Sequence, residues 1–167
     1  GSSSLILSDK NISNLKASIP SILTVGAVHS HLIKHGLRGY CSLNVECSDA
    51  LDTHSFAVLI GVGATTVNPY LAIDSIYQRF EKKLFGKSDF ESCVFKFKKS
   101  IDAGLLKIMS KMGISVVSSY RGGCNFEAVG LSRAIVSDYF SGMSSRISGI
   151  GIIGIEKKIK ELHKKFN

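Results

Sequence analysis

Four short apolar runs recur along this chain, each separated from the next by enough residues for a helix, and this alternation limits the fold more than any other feature. Leu5, Ile6 and Leu7 are closed by Ser8 and Asp9, as a buried strand is closed by turn residues. Over residues 41–46, Leu43 and Val45 alternate with polar neighbours; residues 65–68 are β-branched and short; residues 114–119 predict a fourth strand. Strands separated by ten or more helical residues need crossover connections, which lay helices against a parallel sheet. The fold class is therefore α/β, with about four parallel strand-helix units. Four such units make half of a (β/α)8 barrel, leaving two unpaired edges and one exposed inner face that call for a cover. An open four-stranded sheet is the alternative that the pattern allows.

The helices have readable ends. Pro20 suits a first helical turn, Ile22, Leu23, Val25, Ala27, Val28 and Leu32 form a broad apolar face, and Gly36 stands at the C-cap. Ser48 or Asp49 is placed to cap a brief helix holding Phe56, Ala57, Leu59 and Ile60, which Gly61 and Gly63 break. Pro69 opens the next helix, with Leu71, Ile73, Ile76, Tyr77 and Phe80 on its buried side before Gly86. The helical period returns over residues 90–112, where Gly104 is expected to mark a break between two helices and Gly113 the end. Short helices are expected over residues 126–129, 132–140 and 152–166.

With 44% hydrophobic and 20% charged residues in 167, the chain is too apolar for disorder, and residues 5–167 read as one domain. Residues 1–4, Gly-Ser-Ser-Ser, lack the parts of a secretion signal and read as an expression scar. No stretch nears the roughly 20 apolar residues of a membrane span, so no membrane partner is expected. The net charge of +8 raises the question of a polyanion. Residues 101–167 carry ten bases against five acids, and Lys157, Lys158, Lys160, Lys164 and Lys165 fall opposite Ile155, Ile159 and Leu162 on a helix. That is the pattern of a solvated helix end, and with no base-reading or stacking motif nucleic acid is not expected as a partner.

Ligand groups in parallel α/β sheets gather at the carboxyl ends of the strands. The polar residues falling there are Asp9, Asn44 with Glu46, Asn68, and Ser118, Ser119 and Arg121. Asp9, Asn44, Asn68 and Arg121 are the candidates for one strand-end cleft, although turn, cap and tether duties account for the same residue types. No pair with separate acid and base roles stands out, so no catalytic residue is assigned. Residues 148–154 hold three glycines before a helix, as phosphate sites do, but lack the strand and following acid of a dinucleotide fingerprint. His31 and His35 share a helix face without a carboxylate in metal-site spacing, and His29 reads as a hydrogen-bonding group. Cys41, Cys47, Cys93 and Cys124 form neither a CxxC pair nor a zinc spacing, so reduced thiols are expected; Cys124 beside Arg121 is the one with a plausible thiolate. No cofactor or metal is assigned to the chain.

The wording of the chain adds to this. Gly26-Ala27-Val28-His29, Gly36-Leu37-Arg38, His54-Ser55-Phe56-Ala57, Gly61-Val62-Gly63-Ala64 and Asn68-Pro69-Tyr70-Leu71-Ala72 resemble the central domain of the glutamate synthase large subunit. The second half resembles it more closely, through the run from Gly104 to Ser115, then Ser119-Tyr120-Arg121-Gly122-Gly123, Phe126-Glu127-Ala128-Val129-Gly130-Leu131 and Ser145-Arg146-Ile147-Ser148-Gly149-Ile150-Gly151. The resemblance spans about residues 5–160. It implies a cytoplasmic parent enzyme in which an amidotransferase domain frees ammonia from glutamine and a tunnel leads it to an FMN barrel. There 2-oxoglutarate is converted to glutamate by reductive amination, with electrons crossing an iron-sulfur cluster from ferredoxin or from an NAD(P)H-oxidising small subunit. The central domain, the resemblance implies, joins the two catalytic domains and has an α/β topology related to the barrel. The family's nucleophilic cysteine, cluster cysteines and FMN domain have no counterpart here, so the chain is expected to be a connecting piece, inactive alone. A self-contained α/β enzyme with Asp9, Asn68 and Arg121 around a phosphate is the alternative.

Overall fold

A computed structural model describes residues 3–123 and 125–165. Cys124, Phe166 and the first two residues of the expected expression scar lie outside the described residues. Three strands, β1 (Ser4–Ser8), β2 (Ser42–Glu46) and β3 (Thr66–Asn68), form a parallel sheet in the order β1-β2-β3. Ser4, one of the four residues read as a scar, opens β1. The crossovers are α1 (Ser21–Lys34) and α2 (Thr53–Gly61), with a 3-10 turn at Arg38–Tyr40 before β2. Then follow α3 (Tyr70–Glu81), α4 (Phe90–Lys111), α5 (Val117–Tyr120), α6 (Arg133–Tyr139) and α7 (Ile152–Lys164). The fold class is thus α/β, among the described residues an open sheet of three strands with β1 and β3 at its edges.

The alternation in β2 decides which face the helices cover. Leu43 and Val45 are 0% and 3% exposed. Val45 joins Val25, Phe56, Leu59, Val62 and Ile101 in the main core, with Leu7 and Val67 from the flanking strands against it. The register sets Leu7 beside Val45 and Val45 beside Val67, so one face of all three strands is apolar. The opposite face presents Ser4, Ile6, Ser8, Asn44, Glu46, Thr66 and Asn68, each exposed or half-buried, and Ile6 is 72% exposed.

Several local expectations hold and several shift. Gly36 adopts a φ of 67° after α1, and the amide of Leu37 reaches back to the Leu32 carbonyl, the pattern that closes a helix on a left-handed residue. α2 is capped by Asp52, whose Oδ1 accepts from the Ser55 amide at 2.8 Å, rather than by Ser48 or Asp49. Asp49 instead accepts from the Ser21 amide at the start of α1. α4 runs unbroken through Gly104, because the missing side chain makes room for Thr53 at the start of α2; the glycine is a packing site and not a break.

The fourth strand does not form among the described residues. Gly113, at φ 70°, ends α4, and residues 117–120 make a single helical turn instead. Val116 and Val117 are about half exposed, so the segment has no inward face to pair. Its anchor is Tyr120, 1% exposed, whose hydroxyl donates to the Ala57 carbonyl of α2 at 3.0 Å. Residues 126–129 are also not helical. They form a bridge in which the Ala128 amide donates to the Ser144 carbonyl, and four residues are too few to nucleate a helix against that competition.

Candidate functional site

The carboxyl ends of the strands carry a connected polar cluster. Glu46, the last residue of β2, accepts from Ser8 Oγ at 2.7 Å and Asn68 Nδ2 at 3.3 Å, and pairs with Lys10 Nζ at 2.7 Å. The Lys10 contact foremost, then that of Ser8, holds its carboxyl below the ordinary range. Asp9 Oδ2 accepts from the amide and the hydroxyl of Ser48, at 2.9 and 2.6 Å, which ties the loop after β1 to the loop after β2. Asp9 Oδ1 is buried with no hydrogen-bond partner among the described residues. Burial, with Asp9 alongside, pushes the Tyr70 phenol up, and Lys10 lies 5.1 Å over the Tyr70 ring.

A cleft of about 540 Å³ opens beside this cluster, between the strand ends, the start of α1 and the loop of residues 10–19. Leu7, Ile12, Leu15 and Val45 give it apolar walls, and Asp9, Glu46, Ser21 and Thr24 supply its polar groups. Binding sites in parallel sheets sit in this position. No acid and base with separated roles face each other here, because Glu46 is engaged by three donors and Asp9 holds two loops together.

The four candidates do not converge on that cleft. Asp9 lines it, and Asn68 stands next to it through Glu46. Asn44 lies in mid-strand on the open face, donating to Ser4 Oγ and accepting from Thr66 Oγ1, so it forms a rung across all three strands. Arg121 is at the opposite end of the sheet, within electrostatic reach of His29 and Arg38. Its expected place depended on a fourth strand that does not form among the described residues. Ser118 and Ser119 lie in α5 for the same reason. The sequence reading missed Ser48, Tyr70 and Lys10 as members of the cluster; the signal for Tyr70 and Lys10 was their position within two residues of a strand end.

The remaining signals resolve into packing. Gly149 lies against the Gly130 backbone, where a Cβ would collide, and the Ile150 amide donates to the Gly130 carbonyl, so close backbone packing accounts for Gly149. His35 Nδ1 contacts the His31 carbonyl at 2.9 Å. Among the described residues no three His, Cys, Asp or Glu side chains gather as a metal group. Cys47 is buried, its thiol pushed up to about 11 by desolvation; Cys41 lies just before β2 and Cys93 on α4, so these thiols do not meet. No helix among the described residues is long and apolar enough to cross a membrane.

Comparison with known proteins places this geometry in context. A family described as glutamate synthase central domain matches residues 1–132. The chain is 59% identical over 163 residues to a glutamate synthase [NADPH] large chain of Azospirillum brasilense, covering 98% of this chain and 11% of that protein. It is 42% identical to a ferredoxin-dependent glutamate synthase of Pyropia yezoensis, covering 99% and 11%. Against a glutamate synthase [NADH] of Schizosaccharomyces pombe the identity is 36%, covering 99% and 8%. The chain spans about a tenth of the length of these relatives.

Proposed function

Since this chain belongs to the glutamate synthase central-domain family, we propose that it is a structural and connecting part of a glutamate synthase large subunit. On this reading the parent enzyme is a cytoplasmic oxidoreductase that makes glutamate from glutamine-derived ammonia and 2-oxoglutarate by reductive amination. Its amidotransferase and FMN domains belong to the same chain and are this domain's partners. Electrons come through an iron-sulfur cluster from an NAD(P)H-oxidising small subunit or from ferredoxin. Residues 5–167 contribute one α/β domain that helps keep the two catalytic domains in register.

The observation that carries the reading is the bare sheet. Among the described residues one face of β1-β2-β3 is exposed or half-buried and no further strand pairs with either edge, in a chain about a tenth as long as its relatives. Open edges invite pairing with other chains, and proteins normally blunt or cover them. At the strand ends, Glu46 and Asp9 Oδ2 are engaged in structural hydrogen bonds and an ion pair. An iron-sulfur cluster needs converging thiolates, whereas Cys41 and Cys47 stand at opposite ends of β2, Cys93 lies on α4, and Cys47 is held as a neutral thiol.

The reading is tested by assaying the 167-residue chain for glutamine hydrolysis and for FMN binding. Neither is expected, and saturable activity in either assay sinks it.

A further inference from the structure

The sequence of β1, Ser4-Leu5-Ile6-Leu7-Ser8, reads the same in both directions. Among the described residues β2 is the strand beside it, so the other side of β1 has no strand partner. The phase of the ladder fixes what that side offers. At one end the Ser42 amide donates to the Ser3 carbonyl, and at the other the Asp9 amide donates to the Glu46 carbonyl. Peptide groups alternate along a strand, so Leu5 and Leu7 spend their backbone groups on β2, while Ser4, Ile6 and Ser8 turn their N–H and C=O outward. The two serine hydroxyls do not shield this row: Ser4 Oγ accepts from Asn44 and Ser8 Oγ donates to Glu46, both on β2.

A free edge accepts whichever strand matches it, and β1 matches itself. Laid antiparallel about Ile6, a second copy sets its Ser8 opposite Ser4, its Ile6 opposite Ile6 and its Ser4 opposite Ser8. In such a ladder the outward residues form the pairs that exchange both N–H···O=C bonds, and the residues between them, Leu5 opposite Leu7, form the pairs with the closest side chains. A twofold contact needs one patch complementary to itself, and this strand supplies it in backbone phase and in side chains alike. Ile6, 72% exposed, gains Ile6 of the second copy as its neighbour on the open face. The usual protections of an edge are missing from β1, which holds no proline and no charged residue and keeps an unbroken register with β2. β3 has only three residues and offers a shorter row.

We propose that two copies of this chain join β1 to β1, antiparallel about Ile6, into one sheet of order β3-β2-β1-β1-β2-β3 with the helices of both copies on the same face. The pairing is a property of this chain and does not depend on the connecting role proposed above.

Sedimentation equilibrium of the 167-residue chain, from low micromolar to near-millimolar concentration, should show the mean mass rising from 18.0 kDa towards twice that value. Ile6→Lys, at an exposed position, sets like charges opposite each other across the twofold axis and should hold the mass at 18.0 kDa. Phe95→Lys removes a comparably exposed apolar side chain from α4 and should associate as the unaltered chain does. A constant 18.0 kDa in the unaltered chain overturns the proposal and leaves the edge to another segment of the parent subunit. It is overturned equally by a mass that still rises in Ile6→Lys, or by one that no longer rises in Phe95→Lys. If a variant does not fold, residue-resolved amide exchange in the unaltered chain decides. Between the lowest and highest concentrations the Ser4, Ile6 and Ser8 amides should slow on the order of tenfold, with the Leu5 and Leu7 amides, already bonded to β2, as the reference. Unchanged exchange at Ile6 overturns it.

Discussion

Single residues at the amino ends of the strands show how tightly local chemistry is constrained. Gly63 sits at a φ of 127°, and a Cβ there would strike the His29 ring. We expect Gly63→Ala to lower unfolding free energy by about 1–3 kcal/mol from backbone strain, with more lost as the ring is displaced from Arg38; urea denaturation measures it. His29 itself carries a pH signature. Burial first, then the charges of Arg38 and Arg121, hold it below its ordinary 6.5. Above that value the ring is neutral in both states; as pH falls below it, the unfolded chain takes the proton first. Stability should therefore drop from about pH 6.5 downward until the folded ring also protonates. An NMR titration of the ring with a midpoint at or above 6.5 would refute this. Sequence could name His29 as a hydrogen-bonding group, but its partners Arg38 and Gly63 are 9 and 34 positions away and meet it only through the fold.

At the scale of elements, the strand pattern makes a sharp contrast testable in adjacent positions of β2. Leu43 points into the helices and is fully buried, whereas Asn44 lies on the open face between Ser4 and Thr66. Leu43→Ala should cost about 2–5 kcal/mol through lost burial and a residual cavity. Asn44→Ala, which removes two exposed hydrogen bonds, should cost about 1 kcal/mol or less. Guanidinium unfolding of the two variants reads the difference, and equal losses would mean that the open face is covered. β2, α1 and α4 were legible because burial on one side leaves a period in the sequence, α3 from Pro69 and its helical period although Leu71 and Tyr77 of the expected buried side are exposed, and β1 and β3 from short apolar or β-branched runs closed by turn residues. The fourth strand was not, since the same Ile and Val content serves a turn once Tyr120 is pinned under α2. Nor was the unbroken α4, because a glycine that admits a neighbour and one that ends a helix look alike until the neighbour, here Thr53, is in place.

Across the whole molecule, burial falls from the sheet and its crossovers to the last helix. α2 buries Phe56, Ala57 and Leu59, while α7 buries no residue, rests on the core mainly through Ile155 and leaves Leu162 57% exposed. Amide exchange in α7 should be on the order of 100-fold faster than in α2 under native conditions. Hydrogen-exchange mass spectrometry measures it, and matching protection would show that α7 is docked as firmly as the crossovers. The exposed lysines of α7, with Lys160 paired to Glu156, place much of the surplus charge on this outermost helix. The sequence by itself determined the α/β class, the parallel order implied by long crossovers, the caps at Gly36 and Gly113 and the family, because these rest on periods and short-range steric rules or on runs of identical residues. Only the tertiary structure decided that the strands number three among the described residues, that Arg121 lies at the opposite end from Asp9 and Asn68, and that it comes within electrostatic reach of His29 and Arg38. Those outcomes depend on which distant segments win the competition for the same hydrogen bonds and the same buried space, and no local window contains both competitors.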